Sequence, residues 1–174
     1  MRGKIVFLAG LIASCASASY GADCEIRHSD LDGFAIYRLG HLRALPKGVR
    51  TLPHCAIYRK YHTFDCEFVD ADGTHYTAAD HEIAKLERAS GQPGALPSSY
   101  PLTFGMTVRD VVAAISAMDP KIALATRRGN DGAVAVDTGE CLKDSRGVTY
   151  DFTADFDKAG RLNRLTAAFE TAGD

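Results

Sequence analysis

Near the C-terminus, Val148, Tyr150, Phe152, Ala154 and Phe156 alternate with Thr and Asp across nine positions without a miss. Successive side chains of a strand point to opposite faces, so this pattern predicts a strand with one buried and one wetted side. Asp157-Lys158-Ala159-Gly160 reads as a turn, and Leu165, Ala167 and Phe169 line the returning strand. One apolar sheet face is thereby committed, and it needs partners on both sides and a cover.

The strongest helical signal lies just upstream. Thr107 and Asp110 have the spacing of a capping box, and Val108, Val111, Val112, Ile115 and Met118 share one helical face, with Pro120 ending the run. Strand candidates follow at 122–126 and 133–136, separated by Gly129-Asn130-Asp131-Gly132. In the first half, the CAIYRKY segment from Cys55 is rich in strand formers, and Phe64, Cys66 and Phe68 alternate with polar residues. Asp70-Ala71-Asp72-Gly73 then turns the chain into Thr74–Thr77. Residues 80–89 read as a helix or a returning strand. The strand is favoured because Cys66, Gly73 and Tyr76 are echoed by Cys141, Gly147 and Tyr150. Ser29-Asp30 is placed to cap a short helix carrying Leu31, Phe34 and Ala35. Gly, Pro and Ser concentrate in 90–101, which reads as a linker between halves at 23–89 and 102–174. The expected class is α+β: a helix packed on an antiparallel β-meander, with the halves as candidate repeats.

Residues 1–22 carry the layout of an export signal: basic Arg2 and Lys4, an apolar run from Ile5 to Ala13, then small residues, with cleavage favoured after Ala22. Ile12-Ala13-Ser14-Cys15 also has lipobox form, which would anchor the chain through Cys15, but a periplasmic or secreted protein is favoured. Cleavage removes two of 20 basic residues and none of 22 acidic ones, leaving 18 against 22, a net −4. That balance does not suit nucleic acid, and no later apolar run approaches membrane length. Cys24, Cys55, Cys66 and Cys141 lack the close pairs of a zinc site and read as two disulfides. The favoured pairing is Cys55–Cys66, across a short loop, with Cys24–Cys141.

Gly105-Met106-Thr107, Val111 and the Asp157–Gly160 hairpin resemble, in order, the β-lactamase-inhibitor-protein-like fold and the small outer-membrane assembly lipoproteins. The resemblance covers residues 101–170. It implies a helix opening onto a strand meander, tandem units in the inhibitors, and action through a surface with no catalytic residues.

Chemistry is sparse in the sequence. The six histidines (His28, His41, His54, His62, His75, His81) all fall in the first half, without H-E-x-x-H spacing. A hairpin is able to bring His62, His75 and Asp80 together, but surface or hydrogen-bonded histidines are the plainer reading. Asp70-x-Asp72-Gly73 resembles part of a calcium loop, yet the later ligands are missing and a turn suffices. There is no G-x-S-x-G, and Arg127-Arg128-Gly129 reads as a solvated cluster. No cofactor or metal is expected. The sequence favours a non-enzymatic protein-binding domain of the envelope, of inhibitor or immunity type, over an exported hydrolase built on the histidine-rich half or an assembly lipoprotein. Tyr58 and Tyr61 are the candidate contacts, and the expected partner is another envelope protein or an exported toxin.

Overall fold

Three copies of one turn organise the long strands. In a computed structural model describing residues 25–58, 60, 63–129 and 132–169, Asp70, Asp144 and Asp157 each open an Asp-x-x-Gly turn. The Asp carbonyl accepts from the glycine three residues on, at 3.1, 3.0 and 2.9 Å. The Asp Oδ1 accepts from the backbone amides two and four residues on, at 2.9–3.0 Å. Gly73, Gly147 and Gly160 have φ of +85°, +92° and +72°, the left-handed step that closes such hairpins and that glycine takes most cheaply. The Cys66…Tyr76 and Cys141…Tyr150 echo therefore marks two copies of the same turn.

The strands are β1 (Arg27–His28), β2 (Gly40–His41), β3 (Arg50–Thr51), β4 (Ala56–Tyr58), β5 (Thr63–Val69), β6 (His75–Ala79) and β7 (Glu82–Ala89), then β8 (Ala125–Arg128), β9 (Val134–Asp137), β10 (Leu142–Lys143), β11 (Thr149–Phe156) and β12 (Leu162–Ala168). They join in one mixed sheet of order β1-β10-β11-β12-β7-β6-β5-β3. In addition, β9 lies beside β11 with β8 beyond it, β2 beside β7, and β4 beside β5. Among the described residues only the β1–β10 pairing is parallel. Helix α1 (Val108–Met118) starts at Thr107 with both capping-box bonds formed, and buries Val111 and Ile115.

This corrects the expected α+β class. The protein is mostly β, a twelve-strand mixed sheet with one short helix among the described residues, not a helix packed on a meander. The physical reason lies mainly in residues 25–58. Leu31, Phe34 and Ala35 are buried as anticipated, but through turns: Gly33 N donates to Asp30 O at 2.8 Å, and Gly40 takes φ +92°. The chain there supplies two- and three-residue strands to the sheet margins instead of a second helix. Residues 80–89 settle as a strand, while the candidates at 122–126 and 133–136 shift to β8 and β9.

One core runs through both halves. Phe68, Tyr76, Leu86, Ala167 and Phe152 occupy a single cross-strand row from β5 to β11, and all are buried. The next row places Arg88 opposite Leu165 with 1% of its surface exposed. Its guanidinium donates to Phe34 O at 3.2 Å and Ala95 O at 3.1 Å, so it fastens the N-terminal segment and the 90–101 segment to β7.

Candidate functional site

The feature least explained by folding is the β4–β5 arm. Its register pairs Ala56 with Asp65, Ile57 with Phe64 and Tyr58 with Thr63. The Cys55–Cys66 disulfide closes its base with Cα atoms 3.9 Å apart, while Phe64 and Cys66 reach into the core. This is the expected pairing, and a bridge over so short a loop is worth roughly 2–3 kcal/mol. Beyond the disulfide, Ile57 is 59% and Tyr58 47% exposed. Two apolar residues in succession on a strand face opposite ways, so neither face of β4 is hidden. Among the described residues β4 pairs with β5 alone, and its outer edge presents unpaired backbone groups.

Tyr58 was legible as a candidate; Ile57 was not, although the missing alternation in Ala56-Ile57-Tyr58 was a usable signal. Tyr61 and His62 lie outside the described residues, as do Cys24, Cys15 and the whole 1–22 signal reading. Cys141 is in disulfide form.

The solvent face of β5–β7 holds a shallow cleft of about 140 Å³ lined by Glu67, His75, Thr77, Lys85 and Glu87. Lys85 Nζ lies 3.1 Å from Glu87 Oε2, and Arg164 Nε 3.9 Å from Glu87 Oε1. His75 faces Glu87 across the β6–β7 pair. The proposed meeting of His75 with Asp80 does not occur. They stand at opposite ends of β6, roughly 16 Å apart at the strand rise. His81 instead packs edge-on to Phe64 with ring centroids 5.5 Å apart, and 6.1 Å from His41. Among the described residues no three His, Cys, Asp or Glu side chains are grouped to hold a metal.

The buried aspartates near the β10–β11 turn find their partners within the fold. Asp32 accepts from Arg38 at 2.6 Å and Arg146 at 3.0 Å, and Arg146 also grips Asp144. Burial pushes the Asp32 carboxyl up, against the pull of both guanidiniums. Burial acts the same way on Asp144, but the Val148 amide and the Arg146 guanidinium and amide outweigh it and hold that carboxyl down. Ser145 N donates to Asp30 Oδ1 at 3.0 Å, and Tyr150 OH to Ser29 O at 2.8 Å. Together these bonds staple residues 29–32 to the β10–β11 turn. Arg127, from the solvated cluster, is engaged by Asp137 at 2.5 Å. Compared with known proteins, the chain matches no family model, no curated protein and no solved structure.

Proposed function

We propose that this is a non-enzymatic protein-binding domain of the bacterial envelope, and that it docks its partner on the β4 edge of the β4–β5 arm. The observation that carries this reading is the exposure of Ile57 and Tyr58 on a strand braced by a disulfide. Interfaces concentrate their energy in a few apolar and aromatic anchors, and a braced anchor loses little freedom on binding. Covering one such side chain is worth about 1.5–3 kcal/mol. The disulfide, and the absence among described residues of a helix long and apolar enough to cross a membrane, agree with an exported protein. The resemblance of Gly105-Met106-Thr107 and its surroundings to proteins that work through a surface adds support.

The test begins with the oxidised protein as bait in envelope extract, followed by titration of the identified, purified partner. Ile57→Ala/Tyr58→Ala should weaken binding at least 30-fold with an unchanged melting temperature. Unchanged affinity would overturn the assignment.

A second reading, hydrolysis at the cleft, is favoured by the placing of His75 opposite Glu87 beside Glu67 and Lys85. It requires an envelope-directed hydrolytic activity that His75→Ala abolishes.

A further inference from the structure

Residues 33–64 contain no aspartate or glutamate. They carry Arg38, Arg43, Lys47, Arg50, Arg59 and Lys60, six basic residues, whereas residues 65–174 hold 18 acidic and 11 basic ones. The near-neutral total charge hides this division. Within the segment, Leu39 is buried and Leu42, Leu45 and Val49 pack against the core, while Arg43, Lys47 and Arg50 face solvent. Arg38 is committed to Asp32, but no ion pair among the described residues engages Arg43, Lys47 or Arg50. Strands β3 and β4 border the same edge of β5, Arg50 opposite Val69 and Tyr58 opposite Thr63. Arg50 and the apolar anchors therefore share one margin of the sheet, about 20 Å long at the strand rise, and Arg43 and Lys47 lie in the exposed segment that leads into β3.

We infer that the partner docked on this margin is a protein presenting an acidic surface, with an extended segment that pairs with β4. The inference rests on the docking reading above and adds the partner's chemistry. Uncompensated cations beside an open strand edge attract carboxylates and repel a second copy of the same edge, so self-pairing is disfavoured. At physiological salt the screening length is about 8 Å, so distant carboxylates do not cancel the local field, and the acidic residues that do lie within it are Asp65, opposite Ala56, and Glu67, beside Leu52 on β5. A bilayer is the poorer occupant, because hydrocarbon offers no hydrogen bonds to the free backbone groups of β4. An extended polypeptide supplies them.

The probe is poly-L-glutamate of about 50 residues, titrated against the oxidised protein at increasing NaCl. Wild type should bind it, with affinity falling at least tenfold between 50 and 300 mM salt. Arg43→Glu/Lys47→Glu/Arg50→Glu should lose at least 30-fold, and the distant reversal Lys121→Glu/Arg128→Glu/Lys158→Glu less than threefold. If the first reversal does not fold, Arg43→Gln/Lys47→Gln/Arg50→Gln is read in its place. No binding by wild type, equal losses in both reversals, or tighter binding to phosphatidylglycerol vesicles than to polyglutamate overturns the inference. The captured partner separates the two readings. If it is lost by Ile57→Ala/Tyr58→Ala but kept by the charge variant, the acidic inference alone fails. If it is kept by both, the docking site itself is wrong.

Discussion

The turns at Asp70 and Asp144 follow one plan, yet their second carboxylate oxygens are put to different ends. Asp70 Oδ2 accepts the Tyr76 hydroxyl at 2.5 Å, a bond confined to its own hairpin. Asp144 Oδ2 takes the Arg146 guanidinium, which also reaches Asp32 in the N-terminal segment. The first carboxylate tightens a local element, and the second ties parts of the chain 114 residues apart. The same turn at Asp157 is exposed, and among the described residues its carboxylate serves two backbone amides. The turn at Gly129 keeps the backbone bonds, Gly132 N to Gly129 O at 3.0 Å, with a glycine in the place where the others open on aspartate. A turn's worth is thus set by where its spare oxygen points.

Substitution at each position tests that ranking. Asp144→Ala should be the most damaging, at about 3–4 kcal/mol by chemical denaturation. It removes the acceptor of two amides and the buried carboxylate of an ion pair whose arginine is part-exposed. Asp70→Ala should cost about 2 kcal/mol, since Tyr76 is buried and loses its partner. A cost equal to that of Asp144→Ala would end the distinction between local and long-range use.

Asp32→Asn should cost no more than about 1 kcal/mol at neutral pH. Burial already disfavours the Asp32 charge, and the amide keeps an acceptor for one arginine. The two aspartates should also respond oppositely to pH. The Asp144 carboxyl is held below its ordinary 3.8, so its contribution is full above that value and is lost as pH falls through the folded-state pKa. The advantage of wild type over Asp144→Asn therefore shrinks in acid. The Asp32 carboxyl is raised above 3.8, so the folded protein keeps that proton longer than the unfolded chain. Stability falls as pH rises from 3.8 through its folded value, and Asp32→Asn should remove that fall. Denaturant midpoints between pH 3 and 7 report both slopes, and parallel slopes would contradict the assignment. Asp157→Ala, at an exposed turn, should cost about 0.5 kcal/mol, visible only as a shift of a few degrees or less in melting temperature.

What the sequence disclosed follows the range of the forces involved. The alternation at 148–156, the Thr107 cap and the Cys55–Cys66 loop are local patterns, and each appears where expected. The three Asp-x-x-Gly turns are equally local. Strands of two residues have no measurable period, so β1, β2 and β3 left no trace in the sequence, and the β1–β10 pairing joins residues too distant for any spacing rule. Burial of Leu31 and Phe34 followed from their chemistry, but the turns that bury them did not. At the candidate site, Tyr58 stood out as an aromatic near a hairpin, whereas the uninterrupted cationic stretch disappears into a whole-chain charge of −2.

The position of β12 between β7 and β11 sets the timetable of assembly. Strand β7 is complete at Ala89, but the strand that covers its edge begins at Leu162. At about 5–20 residues per second, synthesis of the intervening stretch takes on the order of 4–15 s, against microseconds for a hairpin to form. The β6–β7 hairpin is therefore an early product whose flank from Lys85 to Ala89 waits for β12, β2 pairing only with Glu82 and Ile83. Lys85, Glu87 and Arg88 lie along the waiting strand, and charged side chains on a bare flank discourage pairing with other chains. Arg88, an expensive residue to enclose, lies opposite Leu165 and is therefore closed in from that side only when β12 arrives.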